Sequence, residues 1–444
     1  MIKKRVALLS AVLVVLAAGI VAWLIFLRPS LHITGPVRHE VYVWQRAWTQ
    51  PVREAVSQHA TNFAEIVPLK AEISWKDKKP QLTRVALDYA TLTKISNGRA
   101  DLPVGLDARQ RLPTIGMALR IGPFAGPFTT NDLVAAFITD VAASIVHEAQ
   151  SNHVVLSELQ IDFDCAESKL DGYRVWVEAI QQRIAPSPVT ITALPSWLDS
   201  RAFKRLVAVA TNYVLQVHSV ERPRSFAAPF TLCDPRAANR WVERAGRIGV
   251  PFRVALPTYG YTLAFDASGK FIGLSAEGPR PNWPTNAQLR EVFSNPLELS
   301  ALVNDWTASR PATMRGVIWY RLPTIVDNFN WRWPTLGAIV ASRSLQEKLR
   351  IEPRRVEAGL VEINLVNEGE LDISSRLAVE VRWSNTRLIA GDALRDFELA
   401  ERSTSAARFQ TKTQGSRLPA GDRVTIGWLR FDQDCEVRCE LKKL

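Results

Sequence analysis

LQIDFDC, Leu159 to Cys165, sets two aspartates two positions apart inside an apolar run. A strand has a side-chain period of two, so Asp162 and Asp164 share one face while Ile161 and Phe163 share the other. Their Cβ atoms then stand roughly 6.5 to 7 Å apart. At the C-terminal end of a barrel strand that face looks into the mouth, where such barrels keep their active sites.

Working outward, eight runs read as strands: VYVWQ (41–45), AEIVPLKAEISW (64–75), IGMALR (115–120), LSELQIDFD (156–164), VTITAL (189–194), YVLQVHS (213–219), FRVAL (252–256) and GVIWYR (316–321). Amphipathic helical patterns lie between most of them, over 131–150, 171–184, 200–210 and 235–249. Strand alternating with helix is the pattern of a parallel sheet, and eight units over 38–348 predict a (β/α)8 TIM-type barrel. The stretch from Ala64 to Pro113 resists assignment, VALDYATL (85–92) reading as an extra strand. Beyond Arg350 the period becomes two: Val361, Ile363 and Leu365, then Leu377, Val379, Val381 and Trp383, then Val424, Ile426 and Trp428. A small antiparallel, sandwich-like β domain is expected over 350–444, with VNEGELD (366–372) as a connecting turn.

Residues 1–30 read as a membrane anchor or signal. Val6 to Leu27 is an uncharged run of 22 residues, enough to cross a bilayer core of ~30 Å as a helix. Lys3, Lys4 and Arg5 precede it, which leaves the N-terminus in the cytoplasm. The expectation is a single-pass inner-membrane protein with its bulk in the periplasm, or a secreted one if a peptidase cuts near Ala17 and Gly19. The net charge of +11 is spread along the chain without a basic block, so no nucleic-acid partner is expected. Four cysteines, Cys165, Cys233, Cys435 and Cys439, permit two disulfides in an oxidising compartment. Neither a metal-ligand spacing nor a Gly-rich phosphate loop is present, and no cofactor is expected.

Two close carboxylates push one another's pKa values apart, one protonated as acid and the other ionised, which glycoside hydrolysis requires. Equally, the aspartates can be satisfied by Arg46, Arg120 or Arg321 with no chemistry at all. The other strand ends supply Trp44, Gln45, Arg46, Trp197, Gln216, His218, Tyr259, Trp319, Tyr320 and Arg321. Eleven of the 14 tryptophans fall between Trp44 and Trp333, and aromatic faces beside hydrogen-bonding groups suit a carbohydrate polymer or oligosaccharide. His218 reads either as a general acid or base or as a hydrogen-bonded structural imidazole. The absence of a G-x-S-x-G elbow disfavours a serine hydrolase.

Together VYVWQRAW, LQIDFDC followed by Tyr173, ITALPSWL, LQVHS, LPTYGY and WYRLP resemble the bacterial family called domain of unknown function 3142, over most of residues 40 to 335. The resemblance implies an envelope protein related to the glycoside hydrolase barrels, without an established reaction. Chitinase-like hydrolases are similar at the fourth strand, where their pattern is D-x-x-D-x-D-x-E and the glutamate is the acid. Laid here, the last two aspartates match Asp162 and Asp164, the first falls on Leu159 and the glutamate on Ala166, with Glu167 one place late. The expected roles are Asp164 as general acid, Asp162 as electrostatic partner or nucleophile, and Glu167 as a reserve acid. Trp44, Gln45, Arg46, Arg120, Trp197, Gln216, His218, Tyr259, Trp319, Tyr320 and Arg321 are the expected sugar contacts. The rivals are a sugar-binding pseudoenzyme, which Ala166 favours, and an envelope assembly scaffold.

Overall fold

The computed structural model describes residues 31–77, 79–97, 112–129, 133–276, 281–412 and 417–444. The expected membrane segment at 6–27 lies outside the described residues. Eight strands, β1 Arg38–Val43, β2 Glu65–Lys76, β3 Thr114–Ile121, β4 Leu156–Phe163, β5 Val189–Ala193, β6 Tyr213–Gln216, β7 Phe252–Pro257 and β8 Met314–Tyr320, pair in parallel in that order. β8 returns to β1, Trp319 meeting Val41, so the sheet closes. The result is a mixed α/β protein with an eight-stranded parallel barrel and additional β-sheet units. Helices alternate with the strands: α1 Gln50–His59, α2 Tyr89–Asn97, α3 Leu133–Ser151, α4 Leu170–Ile184, α5 Arg201–Ala210, α6 Pro235–Gly246, α7 Pro296–Ala308 and α8 Trp333–Val340.

Local chemistry explains these elements. In α3, Ala135, Ile138, Ala142, Ile145 and Ala149 recur at helical spacing and are buried against the barrel. α6 and α7 begin with an acceptor and then proline: Asp234 takes the amides of Arg236 and Ala237 at 2.8 and 3.2 Å, and Asn295 takes that of Leu297 at 3.0 Å. The stretch 85–92 is not a strand. The extra strand is Lys79–Arg84, antiparallel on the overlong β2, and Tyr89 to Leu92 already belong to α2.

After β7 the chain leaves the barrel as a three-stranded antiparallel sheet, Gly260–Phe265 between Phe271–Ser275 and Gln288–Phe293. Beyond the barrel, strands β9 Leu349–Glu357, β10 Leu360–Asn367, β11 Leu377–Trp383, β12 Leu388–Ala393, β13 Phe397–Arg402, β14 Ala406–Thr411, β15 Arg423–Phe431 and β16 Val437–Lys443 form two antiparallel sheets, ordered β9-β10-β15-β12 and β13-β14-β11-β16. Their inner faces share one core containing Ile363, Leu365, Val379, Val381, Phe409 and Leu429. Gly427 admits the Phe409 ring: a Cβ there would lie 2.2 Å from its Cε1. All four cysteines are free thiols, so neither of the disulfides that their number permits is formed.

Candidate functional site

A polar column runs through the barrel interior from floor to mouth. On β4 the apolar Leu159, Ile161 and Phe163 are buried, Phe163 against Tyr173 and Trp176 of α4. The alternate residues Glu158, Gln160 and Asp162 face inward, where their partners come from other strands. At the floor, Arg253 of β7 reaches Glu40 at 2.7 Å, Glu65 at 3.1 Å and both oxygens of Glu158 at 2.8 and 2.7 Å. Three carboxylates around one guanidinium are over-supplied with negative charge in a dry space. Burial pushes Glu65 up to about 8, with Glu158 and Glu40 adding to the rise and Arg253 opposing it. Gly116 of β3 makes the room, since a Cβ there would stand 3.2 Å from Glu158 Cγ and from Glu65 Oε1. One step up, Tyr42 donates to Gln160 at 2.6 Å, and Gln160 donates to Glu158.

The mouth lies above this column. Register alone places Glu72, Arg120, Asp162 and Thr192 side by side on four successive strands. Arg46, just past β1, donates to Glu72 at 2.5 and 2.9 Å. Arg120 Nε stands 3.9 Å from both Glu72 and Asp162, and the Thr192 hydroxyl donates to Asp162 at 2.8 Å. Asp164 follows at the strand end, reachable by solvent. Both aspartates line a cavity of about 370 Å³ with Trp44, Arg46, Arg120, Gln216, His218, Tyr259 and Tyr320. Burial pushes the Asp162 carboxyl up, against Arg120 and the Thr192 hydroxyl. Asp164 is pushed up to about 6, first by its crowded surroundings, then by the charge of Asp162, with Arg120 opposing.

Around the carboxylates the wall is aromatic. Tyr320 is edge-on or tilted to Tyr42, Trp44, His218 and Tyr259, with ring centroids 5.3 to 5.8 Å apart. Ser219 joins Tyr259 and Tyr261 through their hydroxyls at 2.6 and 2.5 Å, and Tyr259 lies 3.2 Å from His218 Nδ1. Burial holds His218 down to about 3. It is therefore neutral near pH 7 and supplies neither the imidazolium nor the proton expected of a general acid.

Several expected contacts lie elsewhere. Trp197 is 1% exposed and packs on Phe203, while Trp319 is fully buried on the outward face of β8, its indole N–H on His39. The alternation that brings Tyr320 inward turns Trp319 out. Arg321 pairs with Asp327 at 2.7 Å, and with Gln45 it faces a neighbouring cavity rather than the aspartates. Glu167 starts an exposed 3-10 turn after β4 and does not line the mouth. Sequence reading missed Glu72, Thr192, Tyr42 and Tyr261. Tyr42 and Thr192 occupy inward positions of expected strands, so alternation applied to every strand names them; Glu72 is inward only because a bulge between Leu69 and Ala71 reverses the parity set by Glu65, and Tyr261 is inward through an insertion, neither of which leaves a sequence signal.

Residues 120–325 match the model of a family described as a domain of unknown function (DUF3142), and residues 351–432 match a second, also a domain of unknown function (DUF8456). No curated protein matches the chain. Among solved structures, the spore cortex-lytic enzyme SleL of Bacillus megaterium QM B1551 is similar at 12% identity and TM-score 0.46, over 70% of this chain and 75% of that one. Chitinase ChiA74 from Bacillus thuringiensis is similar at 10% identity and TM-score 0.40, over 92% and 100%. The GH18 chitinase ChiB of Flavobacterium johnsoniae is similar at 11% identity and TM-score 0.44, over 70% and 94%. The matched residues 120–325 fall within the region, 40 to 335, whose strand-end stretches resemble the same family.

Proposed function

We propose that the barrel mouth binds a glycan and that Asp164, with Asp162 beside it, performs acid and base chemistry at a glycosidic bond. The observation that carries this reading is the pair itself: two carboxyls raised above the usual range at the C-terminal end of one barrel strand, in a cavity walled by aromatic rings and hydroxyls. A carboxyl near 6 can still hold a proton to donate, and part of its rise comes from the charge on its neighbour, which Arg120 and Thr192 favour against burial. Inward geometry also suggests another register for the chitinase-like pattern. Slid by two residues, its glutamate falls on Asp164, its two inner aspartates on Asp162 and Gln160, and its outer one on Ser157. The acid is then present, one methylene shorter.

A second reading, binding without cleavage, is favoured by Ala166 and by the outward position of Glu167, which leave one short carboxyl as the only acid that the family pattern assigns. Incubation with defined oligosaccharides separates the two. Asp164→Asn should abolish release of reducing ends while leaving binding intact. Binding with no release by the natural protein supports the second reading. We further place the barrel outside the cytoplasm, tethered by the uncharged run 6–27 behind its three basic residues; a protease-protection assay on intact spheroplasts tests this, and protection of the barrel would refute it.

A further inference from the structure

A second cavity, of about 600 Å³, opens beside the mouth between the insertion sheet, the loop 321–332 and the C-terminal unit. Arg46 and Ala276 line both spaces, so one ligand can lie across them. Arg46, Arg321, Arg332 and Arg417 line it with Glu291 and Asp327, and three of the four guanidiniums are closely paired with a carboxylate: Arg46 with Glu72, Arg321 with Asp327 and Arg417 with Asp372. Arg332 alone of the four is held chiefly by neutral oxygens, while Arg417 divides its donors between two carbonyls and one carboxylate. Arg417 donates to the carbonyls of Asn328 and Asn330, both at 2.7 Å, besides Asp372 at 2.5 Å. Arg332 donates to the carbonyls of Thr324 and Asp327 at 2.9 and 3.2 Å, and its carboxylate contact, Asp422, is stretched to 3.5 Å. Carbonyl bonds fix the plane of a guanidinium without cancelling its charge, which pre-organises it for an anion. The wall also holds a buried donor: Thr262 is 4% exposed and its hydroxyl has no hydrogen-bond partner among the described residues. A hydroxyl is costly to bury unpaired, so one that lines a cavity is satisfied most simply by what enters it.

Resting on the reading of the mouth as a glycan site, we propose that this cavity takes the carboxylate of a sugar adjoining the one above Asp162 and Asp164, so that the ligand is an acidic, uronate-bearing polysaccharide. Planar carboxylates match the guanidinium fork, and the overall charge of +11 favours the encounter with an anionic polymer.

The test is calorimetric titration of the full chain with a uronic-acid tetrasaccharide and a neutral N-acetylhexosamine tetrasaccharide. At low ionic strength the uronate should bind about tenfold tighter or more, and added salt should close the gap. Removing Arg332 risks freeing its loop, so the informative variant is Ser275→Asp, which adds a carboxylate to the same wall. It should weaken uronate binding by about tenfold, with a smaller effect on the neutral sugar. Equal affinities for the two sugars, or uronate binding indifferent to Ser275→Asp, overturn the inference while the mouth reading stands. Binding of neither sugar removes the mouth reading and the inference with it.

Discussion

Replacing Asp162 by asparagine should lower the pKa of Asp164. The rise of Asp164 from the usual 3.8 to about 6 has burial as its largest cause and the Asp162 charge as its second. Two charges ~7 Å apart at an effective dielectric of ~20 to ~40 repel by about 1.2 to 2.4 kcal/mol, or about 0.9 to 1.7 pH units. Since burial takes the larger share of the rise, the lower figure applies. Asp162→Asn should therefore bring Asp164 down by about one unit. Arg120→Met must act in the opposite sense, because Arg120 lowers both carboxyls. Side-chain carboxyl carbons of selectively labelled aspartate, followed by NMR against pH, read both shifts without a known substrate. An acid of pKa about 6 holds its proton in roughly nine tenths of molecules at pH 5 and one tenth at pH 7. Cleavage should accordingly rise as pH falls toward 6 and level off below it. If Asp162→Asn left Asp164 where it was, Asp162 would be uncharged while its neighbour titrates, and the division of labour between them would collapse.

Two further outcomes follow from the same interior. Arg253→Met leaves Glu40, Glu65 and Glu158 facing one another with only the half-exposed Arg38, on Glu40 at 3.0 Å, as countercharge, and should cost roughly 3–5 kcal/mol of stability at pH 8. In the natural protein Glu65 binds its proton more tightly folded than unfolded, so its contribution is complete below the unfolded value of about 4.5 and is lost as pH rises through about 8. The variant strips away the opposing cation, so its deficit should shrink toward pH 5; urea unfolding showing the same loss at both pH values would contradict this. Tyr320→Leu keeps an apolar side chain but removes the ring shared by Tyr42, Trp44, His218 and Tyr259. Sugar affinity should fall about five- to tenfold, the ~1–1.4 kcal/mol of an aromatic face, measured well below a melting temperature that the lost packing lowers; undiminished affinity would take the ring out of the site.

The eight strands were legible because each buries an apolar outer face under a helix, and that pattern is local. Their pairing into a closed ring follows from the alternation with helices. Less of the site could be read. A charged residue at a strand end has two destinations, and sequence near Arg321 does not say that Asp327, six residues on, will turn it out of the mouth. Trp319 and Tyr320 are equally aromatic, and only the parity of β8 sends one to the helices and the other to the cavity. The floor was missed for a different reason: Glu40, Glu65, Glu158 and Arg253 are far apart in sequence, and only closure of the barrel shows that one guanidinium meets all three.

That floor also accounts for the precision of the mouth. Glu158 is held by Arg253 and by the Thr190 hydroxyl at 2.5 Å, and Gln160 bridges it to Tyr42. Two inward residues of β4 are thus locked to β1, β5 and β7 below the level where chemistry is proposed. A strand so anchored cannot slip by one residue without driving Glu158 and Gln160 into the apolar layer under α4. The register that sets Asp162 between Arg120 and Thr192 is therefore enforced from beneath. Charge is balanced differently at the two ends. Below, a fully enclosed guanidinium is surrounded by acids; above, Arg120 is shared between Glu72 and Asp162 at 3.9 Å, leaving Asp164 with the weakest countercharge on the strand. The carboxyl least matched by cations is thus the one that solvent and ligand can reach, and that is where a transferable proton belongs.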